Sequence, residues 1–178
     1  MAPSKKPARA TDSTIAENRR ARFDYEIAET YEAGIELQGG EVKSAKRGQL
    51  QIAGARVLLR GGGSSRRADK KREPNAAAPR TPEAYLVNSH IPPYQPKNTP
   101  AGYEEDRARR LLLTRGEIKE LIGALQEKGR MLIPLRAFLK NGYIKIELGL
   151  ARPKKKSDKR EALKKRAHSR EMRAGTEE

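Results

Sequence analysis

Residues 131–150 constrain the fold of this chain more than any other segment. Apolar side chains alternate with other residues from Met131 to Leu139 and again from Ile144 to Leu150. A period of two is the pattern of a β-strand with one buried face. Asn141-Gly142 lies between the two runs, and this dipeptide readily adopts the positive φ angles of a two-residue hairpin turn. The segment therefore predicts an antiparallel hairpin, in which Pro134 marks a bulge or an edge position in the first strand.

Further strands are predicted where the same alternation recurs. It is found at residues 23–27, 35–37, 50–59 and 85–87. Gly34 interrupts the first two runs, and we expect a bulge or sharp bend there, of the kind that small barrels need at their corners. The sequence thus predicts several antiparallel strands.

Three segments have helical signals. Residues 41–47 form one or two turns that end at Gly48. Residues 103–113 begin with acidic side chains and continue with arginines, the order that the helix dipole favours. Thr114 and Glu117 have the spacing of a capping box, and the apolar residues that follow at helical spacing end before Gly129.

These elements predict a mostly β protein: a small antiparallel barrel of the oligonucleotide-binding type with two to three α-helices. Other α+β arrangements fit the same pattern of strands and helices. We expect a disordered basic arm at residues 1–14 and the barrel at residues 15–151. A flexible basic insertion is predicted at residues 60–83, where Gly, Ser, Pro, Ala and charge dominate, and a basic tail at residues 152–178.

The charge of the chain indicates an anionic partner. There are 39 Lys and Arg against 23 Asp and Glu, a net charge of +16. Residues 1–22 hold six basic and two acidic side chains, and residues 152–178 hold eleven and five. Such an excess favours a nucleic acid or an anionic membrane. Because no apolar run reaches the roughly 18 residues of a membrane span and no signal peptide is evident, we expect a cytoplasmic nucleic-acid-binding protein.

Catalytic chemistry is poorly represented. The chain has no cysteine and two histidines, His90 and His168, in unrelated settings. His90 follows a predicted strand, where a structural or RNA-facing role is more plausible than that of a general base. The triple glycine at 61–63 lacks the Lys-Ser/Thr that a phosphate-binding loop requires. We expect neither an enzyme nor a bound cofactor or metal.

Candidate RNA contacts lie in several groups. Amide and guanidinium groups precede the first predicted strand, at Asn18, Arg19, Arg20 and Arg22. A second group of cations adjoins the leucine triplet at 111–113 and consists of Arg107, Arg109 and Arg110. Two tyrosines could stack on unpaired bases: Tyr94 and Tyr103. Further cations extend the basic surface into the tail, at Lys140, Lys145, Arg152, Lys154, Lys155 and Lys156.

Specific strings resemble one family. They are I-A-E-N-R-R-A-R-F-D-Y at 15–25, Y-E-A-G-I-E-L-Q-G-G-E-V-K-S at 31–44, R-R-L-L-L at 109–113, K-N-G-Y-I-K-I-E-L-G-L-A-R at 140–152 and D-K-R-E at 158–161. In this order they resemble the SsrA-binding protein (small protein B, SmpB) family. Its members bind transfer-messenger RNA (tmRNA) in bacterial trans-translation.

The resemblance implies a barrel that grips the tRNA-like domain of tmRNA and stands in for its missing anticodon arm. It implies delivery to stalled ribosomes together with elongation factor Tu, after alanyl-tRNA synthetase has charged the RNA. The tail would enter the decoding centre and the empty mRNA channel and fold there into a helix. A monomer without a membrane partner is expected.

The resemblance also assigns roles to residues. The RNA contacts that it implies are Asn18, Arg19, Glu32, Arg110, Leu112 and Lys145. The tail residues that would face the ribosome are Asp158, Lys159 and Arg160. Glu32 is instructive, because a carboxylate on an RNA-binding surface is costly unless base or ribose donors bind it; it would therefore supply specificity.

Three features depart from the family pattern. The insertion at 60–83 replaces a short turn, Ser157 stands where His or Tyr usually precedes D-K-R, and Pro153 replaces a customary glycine. An alternative function stays open: a ribosomal or RNA-chaperone protein that binds structured RNA without rescuing ribosomes. A basic enzyme acting on RNA is a third class, for which candidate catalytic groups are lacking.

Overall fold

The computed structural model describes residues 13–60, 82–155 and 157. Most of the predicted arm, insertion and tail therefore lies outside the described residues. The predicted tail contacts Lys156, Asp158, Lys159 and Arg160 lie outside them too, as does His168.

Seven strands and three helices make up the described part of the chain. The strands are β1 (Ser13–Glu17), β2 (Tyr25–Ile35), β3 (Arg56–Arg60), β4 (Glu83–Val87), β5 (Arg109–Leu112), β6 (Met131–Lys140) and β7 (Tyr143–Pro153). The helices are α1 (Ala21–Asp24), α2 (Gly39–Lys46) and α3 (Arg115–Leu125), and a 3₁₀ turn covers Pro96–Asn98.

The strands form an antiparallel barrel, which confirms the predicted fold class. The hydrogen-bonded order is β6-β3-β4-β5-β2-β7, and β7 pairs back with β6 to close the ring. β1 pairs with the second half of β6. Closure satisfies the backbone groups that an open sheet would leave at its edges. It also places alternate side chains of each strand inside the barrel and outside it.

The β6–β7 hairpin follows the sequence prediction closely. Asn141 and Gly142 form the turn with φ angles of 52° and 82°, and Lys140 pairs with Tyr143. The pairing register shifts between Pro134 and Arg136, so the proline does mark a bulge. The hairpin therefore fixes which residues of β7 face outward, and two of these residues, Lys145 and Glu147, line the grooves described below.

Two apolar clusters hold the barrel together. The interior contains alternate residues of every barrel strand, such as Leu86, Leu111, Ile146 and Leu148, together with Leu121 from α3. The predicted capping box begins α3: the Glu117 amide donates to Thr114 Oγ1, and the Thr114 amide donates to the Glu117 carboxylate. A second cluster lies outside the barrel under α1 and comprises Ala21, Ile133, Leu135 and Ala151.

The predicted helix over 103–113 is wrong. Residues 103–108 are irregular, and Arg109–Leu112 is strand β5, between β4 and β2. Charge order along a helix contributes only about 0.3–1 kcal/mol per favourable charge. Sheet pairing on both sides and the burial of Leu111 and Arg109 outweigh it.

Smaller differences concern strand boundaries. Phe23 belongs to α1 rather than to a strand, and β3 starts at Arg56 instead of Leu50. β1 begins at Ser13, inside the segment expected to be disordered, because its backbone completes the outer side of β6. Gly34 does not bulge: it pairs with both Leu112 and Lys145, and the register shift of β2 lies between Ile27 and Glu29.

Candidate nucleic-acid interface

An outer groove lies where β2, β5 and β7 meet α3, and we call it the main groove. It has a volume of about 630 Å³. Its lining residues are Thr30, Tyr31, Glu32, Gly34, Leu112, Leu113, Thr114, Glu117, Lys145 and Glu147. Three residues that the sequence predicted as RNA contacts, Glu32, Leu112 and Lys145, are thus brought together although they are far apart in the chain.

Glu32 is the electrostatic centre of the main groove. Its side chain is 35 % exposed, and its carboxylate accepts hydrogen bonds from Lys140 Nζ at 3.1 and 3.3 Å. Lys145 Nζ lies 3.6 Å from the same carboxylate. Partial burial opposes ionisation of Glu32, but the hydrogen bond and charge of Lys140, with the charge of Lys145, outweigh it and lower the pKa of Glu32. The groove therefore holds a charged carboxylate.

Leu112 supplies an apolar surface beside this carboxylate. Along β5 the side chains alternate, so that Arg109 and Leu111 point inward while Arg110 and Leu112 point outward. Leu112 is 53 % exposed. A Cβ at Gly34 would lie only 3.3 Å from Leu112 Cβ, so the glycine permits the leucine to lie flat across β2. An exposed leucine in a polar groove can pack against a base or a ribose.

A second, small groove of about 120 Å³ lies beside α1 and is called the small groove. Its lining residues are Glu17, Asn18, Arg19, Arg22, Leu135, Arg136 and Glu147. Two hydrogen bonds hold Asn18 there: its backbone N–H donates to Leu135 O at 2.8 Å, and its side-chain Nδ2 donates to Pro134 O at 3.2 Å. Three predicted contacts, Asn18, Arg19 and Arg22, therefore share this groove.

Two other predicted contacts line neither groove. Arg20 extends into solvent, with Asp24 at 3.8 Å. Arg110 lies on the outer face of β5 next to Leu112, and it forms ion pairs with Glu83 at 2.8 Å and Glu36 at 3.9 Å.

Arg107 and Arg109 were expected on the basic surface, and this is wrong for Arg109, which is buried, whereas Arg107 is 25 % exposed and turned toward a carboxylate. Both bind Glu41 of α2, and the side chains of Glu41 and Arg109 are fully buried. Arg109 also donates to Ser89 O, Ser89 Oγ, Arg107 O and Glu105 O. Burial opposes ionisation of Glu41, but hydrogen bonds from Arg107 and the Gln38 amide and the charge of both arginines outweigh it and lower the pKa of Glu41.

The two candidate tyrosines and His90 all form contacts within the protein. The hydroxyl of Tyr103 donates to Ile91 O at 2.9 Å in a half-buried position, which is a structural contact. Tyr94 lies under the guanidinium of Arg47, 4.1 Å from the ring centroid. His90 lies between two carboxylates: its Nε2 is 3.2 Å from Glu105, and its Nδ1 is 3.0 Å from Asp106. These contacts are consistent with a structural histidine.

The start of the tail is fixed to the barrel. Arg152 Nη2 donates to Glu127 at 2.8 Å. The Lys154 amide and Nζ donate to Asp24 O and Arg22 O, both at 3.0 Å. Lys155 is exposed. The tail therefore leaves the barrel beside α1, next to the small groove.

Two groove residues were missing from the predicted contacts: Arg136 and Glu147. Sequence did contain a signal for them, because the Asn141-Gly142 turn sets which residues of β6 and β7 lie opposite each other. Within the described ranges, no three His, Cys, Asp or Glu side chains are arranged to hold a metal ion. No helix of the described part is long and apolar enough to cross a membrane.

The chain is basic and forms an oligonucleotide-binding-type barrel, and its main groove brings Lys145, three glutamates and an exposed leucine together. These features define the class of nucleic-acid-binding proteins. Comparison with known families specifies which kind. The family model described as "SmpB protein" matches residues 15–64 and 73–178. The chain belongs to this family.

Individual relatives agree over nearly the whole chain. The SsrA-binding protein of Gloeothece citriformis is 42% identical over 158 residues, which cover 89% of each chain. That of a Synechococcus species is 43% identical over 159 residues, 89% of this chain and 90% of the relative. A chain from the solved structure "tmRNA-SmpB: a journey to the center of the bacterial ribosome" is 40% identical with a TM-score of 0.57, covering 83% of this chain and 93% of that one.

Proposed function

We propose that this protein binds the tRNA-like domain of tmRNA through its two grooves and delivers the RNA to stalled ribosomes for trans-translation. The relatives are named for SsrA binding, and the solved structure is named for tmRNA, SmpB and the ribosome. The observation that carries the assignment to a surface is the convergence of Glu32, Leu112 and Lys145 in the main groove.

The residues of the main groove, and Lys140 beside it, have distinct tasks in this proposal. Lys145 and Lys140 attract phosphates, but Glu32 already binds both, which limits their affinity for any passing polyanion. Glu32 accepts hydrogen bonds from base or ribose donors and so favours an RNA that presents them at that place. Leu112 packs against the exposed face of a base or sugar. The protein acts as an adaptor, and no catalytic step is assigned to it.

Competition binding tests the proposal against the alternative of a general structured-RNA binder. The tRNA-like domain of tmRNA should displace a labelled copy of itself far better than elongator tRNA at physiological salt. Equal competition would favour the alternative, because phosphate contacts alone do not read sequence or local structure.

A matched pair of leucine variants tests the surface. Leu112→Ala should weaken binding of the tRNA-like domain, while Leu58→Ala, at the other exposed leucine of a barrel strand, should leave it unchanged. Equal effects of the two substitutions would remove the main groove from the proposal.

We further propose that the tail acts on the ribosome and the barrel on the RNA. Lys154 belongs structurally to the barrel, since it bonds Asp24 O and Arg22 O. A truncation that tests the division should therefore end after Lys155. It should preserve tmRNA binding and abolish tagging of stalled nascent chains; loss of both to the same degree would contradict the division.

A further inference from the structure

Four ionisable residues lie side by side across four neighbouring strands. Glu17 of β1 pairs with Arg136 of β6, Arg136 pairs with Glu147 of β7, and Glu147 pairs with Glu32 of β2. We call this row the acidic rung. Because Ala33, Ala137 and Ile146 point into the barrel, the rung lies on its outer face.

The composition of the acidic rung is unusual for a chain with a net charge of +16. It contains three carboxylates and one arginine, and it crosses the surface proposed to bind RNA. Like charges directly opposite each other on paired strands destabilise a sheet. Glu32 and Glu147 are such a pair. Each is neutralised on its outer side, Glu32 by Lys140 and Lys145 and Glu147 by Arg136.

Glu147 also connects the two grooves. It lines the main groove with Glu32 and Lys145, and it lines the small groove with Asn18 and Arg136. Arg136 Nε donates to Glu147 Oε2, and the guanidinium lies 4.8 Å from the centroid of the Phe138 ring. With side-chain exposures of 24 % for Arg136 and 14 % for Glu147, the pair is held firmly yet reaches the surface.

We infer that Arg136 and Glu147 join the two grooves into one continuous RNA-binding surface, and that Glu147 acts with Glu32 as a second specificity-determining carboxylate. This inference rests on the proposed function. Two carboxylates on adjacent strands repel phosphates and accept hydrogen bonds from donors, namely base amino and imino groups and ribose 2′-hydroxyls. Arg136 draws a phosphate to the place where the RNA passes from one groove to the other.

Glu147→Gln tests the inference, with Glu104→Gln as its control. Both variants lose one negative charge, and Glu104 is an exposed residue that lines neither groove. The probes are the tRNA-like domain of tmRNA and elongator tRNA, titrated at one physiological salt concentration. Glu147→Gln should weaken binding of the tRNA-like domain about tenfold and leave tRNA affinity unchanged or higher. Glu104→Gln should change both affinities equally.

A double variant, Arg136→Gln with Glu147→Gln, distinguishes a role of Glu147 in RNA recognition from a role in stabilising the fold. It removes both charges of the ion pair, so neither partner is left without the other. If Glu147 recognises the RNA, the double variant should still prefer the tRNA-like domain over elongator tRNA less than the wild type does. Recovery of wild-type selectivity would overturn the inference, because it would make the ion pair purely structural. An unchanged affinity ratio for Glu147→Gln would overturn it too. If the wild-type protein itself failed to prefer the tRNA-like domain, the proposed function would fall first.

Discussion

Two clusters of this protein have the same chemistry and opposite settings. Glu41 with Arg107 and Arg109, and Glu32 with Lys140 and Lys145, each consist of one carboxylate between two cations. In each, the cations lower the pKa of the carboxylate despite burial. Glu41 and Arg109 are fully buried, however, whereas Glu32, Lys140 and Lys145 are each about one-third exposed.

The difference in burial indicates that one ion cluster can stabilise the fold while a similar one binds a partner. The arginines around Glu41 fix α2 and the loop before β5, because a guanidinium presents several donors in one plane and Arg109 uses them on five acceptors. The lysines around Glu32 are point charges on flexible stems and can exchange one partner for another at little cost. We therefore propose that the Glu41 cluster supports stability and that the Glu32 cluster binds RNA.

The largest expected effect is on folding. Glu41→Gln would leave the Arg109 charge buried without its carboxylate, and removing one partner of a buried pair typically costs about 3–5 kcal/mol. We expect the free energy of unfolding in urea to fall by that amount. A loss below about 1 kcal/mol would show that the Glu41 cluster does not support the barrel.

Glu32→Gln should change RNA binding more than stability, whereas Glu41→Gln should chiefly reduce stability. Because the cluster is partly exposed, we expect the free energy of unfolding to change by less than about 1 kcal/mol. Binding of the tRNA-like domain should weaken by about 1–3 kcal/mol, the range for loss of a well-placed base contact. Fluorescence titration with the labelled domain measures this; a stability loss as large as that of Glu41→Gln would break the comparison.

Acid should weaken the Glu41 cluster. The pKa of Glu41 is lower in the folded protein than in the unfolded chain, so the unfolded chain binds the proton more tightly. This contribution to stability is present above the unfolded pKa, about 4.3, and is lost as the pH falls through the folded value. Urea unfolding between pH 6 and pH 3 should show a shallower pH dependence in Glu41→Gln than in the wild type.

The smallest effect is expected for Lys140→Gln. Lys145 still neutralises Glu32 in this variant, so we expect less than about 1 kcal/mol of change in unfolding free energy. Affinity for the tRNA-like domain should fall only a few-fold, and the dependence of affinity on salt should decrease slightly. Lys128→Gln, at an exposed position outside both grooves, is the matched control.

Much of the barrel was predictable because its signals are local. The Asn141-Gly142 turn, the Thr114–Glu117 capping box and the alternation along β6 and β7 each depend on neighbours in sequence, and the structure contains all three. Strand β1 has no such signal, since its apolar content is small and its partner lies more than 100 residues away.

The site was predictable only in part for the same reason. Resemblance to the family supplied Glu32, Leu112 and Lys145, and the structure brings them together. It could not indicate that Arg109 is buried and that Arg107 pairs with the same carboxylate, because their partner Glu41 is more than 60 residues away and the charge order of 103–113 imitates a helix. Arg136 and Glu147 are placed opposite each other by the cross-strand register, which depends on the bulge after Pro134.

The most direct test is to follow backbone amide NMR signals of the labelled protein during titration with the tRNA-like domain of tmRNA. We predict that the signals of Glu32, Leu112, Lys145 and Glu147 shift strongly, while those of Glu41 and Arg109 remain near their free positions. Unchanged groove signals at saturating RNA, with the shifts concentrated around Glu41 and Arg109, would contradict the assignment of the two clusters.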